Sequence, residues 1–158
     1  MRHFPTAVLA GLALIGSLPA HAERRALVIG NDSYQGAMPL QNARSDARAV
    51  AKALEHDEFK VTLKEDLTVR AMKEALRAFK QQVSGGDEVV FYFAGHGVQF
   101  EGTNYLIPID LVPRSQEQVI DDSVPLQRVL DDMEAQKTRF TLAIASAPFV
   151  RGERGDSG

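Results

Sequence analysis

The chain has 158 residues and no cysteine, which excludes disulfides, thiolate metal sites and a thiol nucleophile within it. Its 18 Lys and Arg are interspersed with 21 Asp and Glu, net −3, and no basic stripe is present that could neutralise a phosphate backbone, which argues against a nucleic-acid partner. At 44% hydrophobic and 25% charged residues, the composition is that of one globular domain.

Residues 1–22 read as an export signal. Arg2 supplies a positive start, "AVLAGLALIGSL" is an apolar run too short to span a bilayer comfortably, and Ala20-His21-Ala22 fits the small-x-small cleavage rule. The expectation is an exported protein, periplasmic or secreted, with no membrane attachment after cleavage. A single domain is expected over residues 23–150 and a disordered tail over residues 151–158. Cleavage removes only Arg2 from the charged residues, leaving 17 basic against 21 acidic, net −4. His56 and His96 are then the only histidines, too few for a typical histidine-based zinc site.

From Glu23 onward, short apolar runs alternate with amphipathic segments, the pattern of a mostly parallel sheet wrapped by helices; four strands and three intervening helices are predicted. "RALVIGN" is a continuous apolar run ended by Gly30 and Asn31, as for a strand buried on both faces. After a loop containing Pro39, Asn42 is placed to cap a helix whose inner face is Ala43, Ala47, Val50, Ala51 and Leu54. "FKVTLKED" reads as a half-exposed strand. Thr68 caps a second helix with the stripe Met72, Ala75, Leu76 and Phe79, and Ser84-Gly85-Gly86-Asp87 forms a turn. The third strand, "EVVFYFA", reads as central and carries His96, between Gly95 and Gly97, to the sheet's rim, where open α/β sheets place their sites. Ser123 is expected to cap a third helix bearing Leu126, Val129, Leu130 and Met133, and "RFTLAI" is the fourth strand.

Three blocks, "RALVIGNDSY", "LQNARSDARAVAKAL" and "FYFAGHGVQFEGTNYLIPID", resemble in order and spacing the caspase family of cysteine peptidases, in its bacterial, metacaspase-like branch. The resemblance covers most of Arg24 to Asp110 and implies a caspase-like three-layer α/β sandwich with a mostly parallel sheet. It also implies hydrolysis of peptide or protein substrates by a Cys–His pair, often after Arg or Lys. His96 matches the family's histidine, which would keep a thiol poised as thiolate or protonate the departing amine. Gly97 matches the glycine whose backbone N–H helps hold the oxyanion. Asp32 matches a position lining the P1 pocket, with an Asx-turn after the strand as an equal alternative from the residues alone. No cofactor is expected. Calcium enters only by analogy with some metacaspases, and the pairs Asp121-Asp122 and Asp131-Asp132 fit no calcium loop and read as a solvated face.

The departure lies at the fourth strand. The family carries an Asp-x-Cys-type segment there, whereas this chain reads "FTLAI" and then "ASAPFVRG", with no cysteine opposite His96. Ser146 is a weak substitute, since a serine hydroxyl needs an aligned base and no orienting third group can be named. The family continues with further strands and a helix, and these are expected to be missing after this point. The expectation is thus an incomplete sheet with an exposed apolar edge, a domain without catalysis, and either a peptide-binding pseudo-peptidase or a chain that self-associates or pairs with a complete relative through that edge.

Overall fold

The computed structural model describes residues 22–147 and 149–151, the last three in backbone only; the expected export signal, Ala22 apart, and most of the expected tail lie outside the described residues. In chain order the elements are β1 (Arg24–Gly30), α1 (Ala43–His56), β2 (Lys60–Glu65), α2 (Val69–Gln82), β3 (Glu88–Ala94), β4 (Gly97–Phe100), β5 (Thr103–Leu106), α3 (Gln116–Asp121), β6 (Val124–Pro125), α4 (Leu126–Glu134), β7 (Phe140–Ser146) and β8 (Phe149–Arg151).

Four strands form a fully parallel sheet in the order β2-β1-β3-β7, so the runs expected to be buried, β1 and β3, are its inner pair. Successive side chains leave opposite faces of a strand, and the two faces are covered differently. Leu27, Ile29, Val89, Phe91 and Phe93 pack with Met72 and Phe79 of α2 and Val129 and Met133 of α4. Ala26, Val28, Val90 and Tyr92 meet Ala43, Ala47 and Ala51 of α1. The alanines let α1 lie close: a Cβ added at Gly30 would stand 2.7 Å from the Ala43 carbonyl oxygen and 2.7 Å from the Ala47 Cβ. The result is the three-layer α/β/α arrangement.

Local signals act as expected at several points. Thr68 Oγ1 accepts the Ala71 N–H at the start of α2. Asp87 closes the turn after α2, its carboxylate accepting the Ser84 N–H while its own N–H reaches the Ser84 carbonyl; Gly86, at φ +90°, supplies the left-handed residue. Asn42 holds the first cap position through its backbone carbonyl, which accepts the Asp46 N–H, and not through its side chain.

Other expectations are corrected. Ser123 does not cap the helix that follows: its hydroxyl donates back to the Val119 carbonyl, finishing the unpredicted short helix α3, and α4 begins at Leu126 behind Pro125. There is also a second, small sheet, β6-β5-β4-β8, where only loops were expected. Its hairpin β4–β5 turns through Glu101 (φ 47°) and Gly102 (φ 83°), a two-residue turn with both central residues left-handed.

The two sheets are joined by two crossings. β3 runs through Gly95-His96 into β4, and β7 runs on into β8; β3 pairs with β7 and β4 with β8, both in parallel. Ala94 stands opposite Ser146 and Gly97 opposite Phe149, so the two ladders lie on either side of His96.

Candidate active site

His96 occupies the crease where the chain leaves the large sheet. Its backbone is pinned by two bonds: the N–H donates to the Tyr34 hydroxyl at 2.8 Å, and the carbonyl accepts the Ile107 N–H at 3.0 Å. The Tyr34 hydroxyl in turn donates to the Ile107 carbonyl at 3.2 Å. The Tyr34 ring meets the imidazole edge-on, with centroids 4.4 Å apart. Burial pushes the Tyr34 phenol well above its usual range, so it stays a neutral hydroxyl able to donate and accept at once. Gly95 is required for this contact, since a Cβ there would lie 2.4 Å from the Tyr34 hydroxyl oxygen and 2.6 Å from the Phe93 ring.

The imidazole itself is half-buried. Its Nε2 lies 2.8 Å from the carbonyl oxygen of Met38, whose side chain is exposed. A carbonyl only accepts, so Nε2 carries the hydrogen and, in the neutral ring, Nδ1 holds the basic lone pair. The loop after β1 thus supplies both the ring contact and the tautomer. Gly97 opens β4 opposite Leu106 and Phe149, directly after the histidine.

Asp32 is buried, at 6% exposure, and is the centre of an ion-pair cluster. Its Oδ2 accepts from Arg44 Nε at 3.1 Å, Arg44 also reaches Asp66 Oδ2 at 3.1 Å, and the Asp32 N–H donates to Asp66 Oδ1 at 2.8 Å. Asp32 Oδ1 is buried with no hydrogen-bond partner. Burial pushes the Asp66 carboxyl upward, but the Asp32 and Ser33 N–H groups, the Ser33 hydroxyl and the Arg44 charge outweigh it and hold Asp66 below its usual value. Asp32 therefore presents one carboxylate oxygen already engaged by the chain's own guanidinium.

Ser146 ends β7 with an exposed side chain on the same face of the sheet as Ala94. Its carbonyl accepts the Gly95 N–H at 3.3 Å, while its hydroxyl makes no hydrogen bond to His96 or to any other base among the described residues. The fold thus brings the Ser146 backbone to the histidine turn without forming a nucleophile–base pair. The acidic pairs are spent elsewhere: Asp132 pairs with Lys80 at 2.6 Å, and Asp131 accepts from Gln127 at 2.8 Å. Among the described residues, no group of three His, Asp or Glu stands where it could hold a metal ion.

Sequence reasoning missed Tyr34, Arg44 and the Met38 carbonyl. Tyr34 was visible as the last residue of "GNDSY", but nothing local marks its hydroxyl as the acceptor for a peptide N–H 62 residues away.

Residues 23–148 match the family model described as the caspase domain. Among curated proteins, the mucosa-associated lymphoid tissue lymphoma translocation protein 1 of Homo sapiens and its homologue in Mus musculus are each 28% identical to this chain over 139 residues. The match takes in 88% of this chain but 16% of each relative's length. A crystal structure of a protein from Geobacter sulfurreducens superposes with a TM-score of 0.58 at 14% identity, over 80% of this chain and 50% of that one, a likeness of fold alone.

Proposed function

The chain belongs to the caspase-domain family, and from that we propose that it is a peptidase-derived domain which binds peptides beside His96 and does not cleave them. The observation that carries this reading is the combination of a fully built histidine setting, with Tyr34, Gly95 and Met38 in place, and a sequence of 158 residues that has no cysteine. Without a thiolate, His96 has no nucleophile to poise, and Ser146 offers an unaligned, un-ionised hydroxyl. The Gly97 N–H would then bond a ground-state peptide carbonyl and not an oxyanion.

A preference for Arg or Lys belongs to the same proposal. A basic side chain entering near Asp32 would share the Asp32–Asp66 pair with Arg44, and the unpartnered Asp32 Oδ1 is the acceptor left for it. Export to the periplasm or beyond, resting on residues 1–22, completes the reading. The test is fluorescence anisotropy with labelled peptides ending in Arg, Lys or Asp, run beside the matching fluorogenic substrates. Saturable binding of the basic peptides, weakened by Asp32→Asn and unaccompanied by turnover, is the expected result. Turnover that disappears in His96→Ala would overturn it.

A second reading is favoured by β7, whose Phe140, Leu142 and Ile144 side chains are exposed on a strand at the edge of the large sheet. Such an edge can pair with a second copy or with a complete relative.

A further inference from the structure

On the face of the sheet opposite α1, a trough of about 550 Å³ runs between α2 and α4 and shares no residue with the surroundings of His96. This volume lies within the range of ligand-binding clefts. We propose that the trough binds a short acidic segment of a partner protein, two carboxylates flanking one apolar side chain.

The argument begins with the spacing on α2. Lys73, Leu76, Arg77 and Lys80 fall at i, i+3, i+4 and i+7, one continuous stripe along the trough wall. The two lysines are engaged at its ends. Lys73 Nζ donates to the Asp121 carbonyl at 3.0 Å, and Lys80 Nζ pairs with Asp132 Oδ1 at 2.6 Å. Between these ties stand Arg77 from α2 and Arg128 from α4, both exposed and both without a hydrogen-bond or ion-pair partner among the described residues.

Four cations against two carboxylates, Asp121 and Asp132, make this lining basic in a chain whose net charge is −3, so the local charge opposes the background. Guanidinium forks match carboxylates with two parallel hydrogen bonds each. The trough's inner wall is apolar, with Leu76, Val124, Val129 and Met133. Lys73 to Lys80 spans about 10 Å of helix, the length of about three extended residues. Two free cations on opposing walls, above an apolar surface of that length, call for an acid–apolar–acid triplet. A single-headed fatty acid would leave one guanidinium unmatched.

The probe is a fluorescein-labelled peptide of sequence EELEE, followed by anisotropy at low ionic strength. Its comparisons are EEGEE, KKLKK and dodecanoate as a competitor. Binding of EELEE is expected to weaken about tenfold for each of Arg77→Gln and Arg128→Gln, and more for the pair. Both side chains are exposed, so the melting temperature and far-UV circular dichroism of the variants should match the parent. His96→Ala should bind EELEE unchanged, which separates this proposal from the reading of peptide binding at His96. Several outcomes would overturn it: no saturable EELEE binding, equal binding by the double variant, EEGEE as good as EELEE, dodecanoate bound in place of peptide, or loss of binding in His96→Ala.

Discussion

β3 and β7 are neighbouring parallel strands of seven residues, both apolar in sequence, yet the first is buried on both faces and the second only half-buried, on one. On β7, Ala143 and Ala145 pack into the core shared with α2 and α4, while Phe140, Leu142 and Ile144 are 53%, 41% and 41% exposed on the other face. α1 covers that side over β1 and β3, and among the described residues nothing covers it over β7. The opposite edge strand, β2, carries Lys60, Lys64 and Glu65, charges that discourage strand addition, whereas β7 has none from Phe140 to Ser146. An apolar run records what a strand can bury, and its neighbours decide what it does bury.

The largest effect should come from the strand with two covered faces. Phe91→Ala is expected to cost about 3–5 kcal/mol in urea unfolding, against less than about 1 kcal/mol for Ile144→Ala. Equal losses would erase the distinction between the strands. A middle effect belongs to the base of β3. Asp87 accepts the Glu23 and Ser84 N–H groups at 2.9 Å each and Arg25 Nε at 3.1 Å. Burial raises the Asp87 carboxyl, but these donors and the Arg25 charge prevail and hold it below its ordinary 3.8. A depressed folded pKa stabilises above the unfolded value and is lost as pH falls through the folded one. Asp87→Asn should therefore cost about 1–3 kcal/mol at neutral pH, with the gap from the parent closing as the pH drops below about 4. A gap independent of pH would mean that the charge of Asp87 is idle. The smallest effect on stability, within about 0.5 kcal/mol, is expected for Leu142→Lys with Ile144→Lys. These changes should nonetheless abolish any self-association detected by sedimentation. A dimer that survives them does not use the β7 edge.

The large sheet and its helices were legible because their signals are local: continuous apolar strands, alanines at helical spacing on α1, the Thr68 cap, and the Ser84–Asp87 turn. The second sheet was not legible, because it depends on pairings at long range and on a turn whose first left-handed residue is Glu101, where Asn or Asp would have announced a hairpin. Ser123 misled for a related reason: a serine just ahead of a helical pattern is also a serine just after one, and its hydroxyl closes α3. At the candidate site, glycine flanks and strand position pointed to His96. Its acceptor Met38 and neighbour Tyr34 come from a loop whose conformation no spacing predicts. Asp32 was found as a position, but its engagement by Arg44 required the packing of α1 against β1.

The paired crossings between the two sheets have a mechanical consequence. Two adjacent strands, each covalently continuous from one sheet into the other, act as the two straps of a hinge. Sliding or twisting one sheet against the other would have to stretch one strap. Leu106 and Val124 of the small sheet also enter the core shared with α2 and α4, so the two sheets are tied there as well. The histidine sits where both straps cross, so its backbone is held at the place where the two sheets are least free to part.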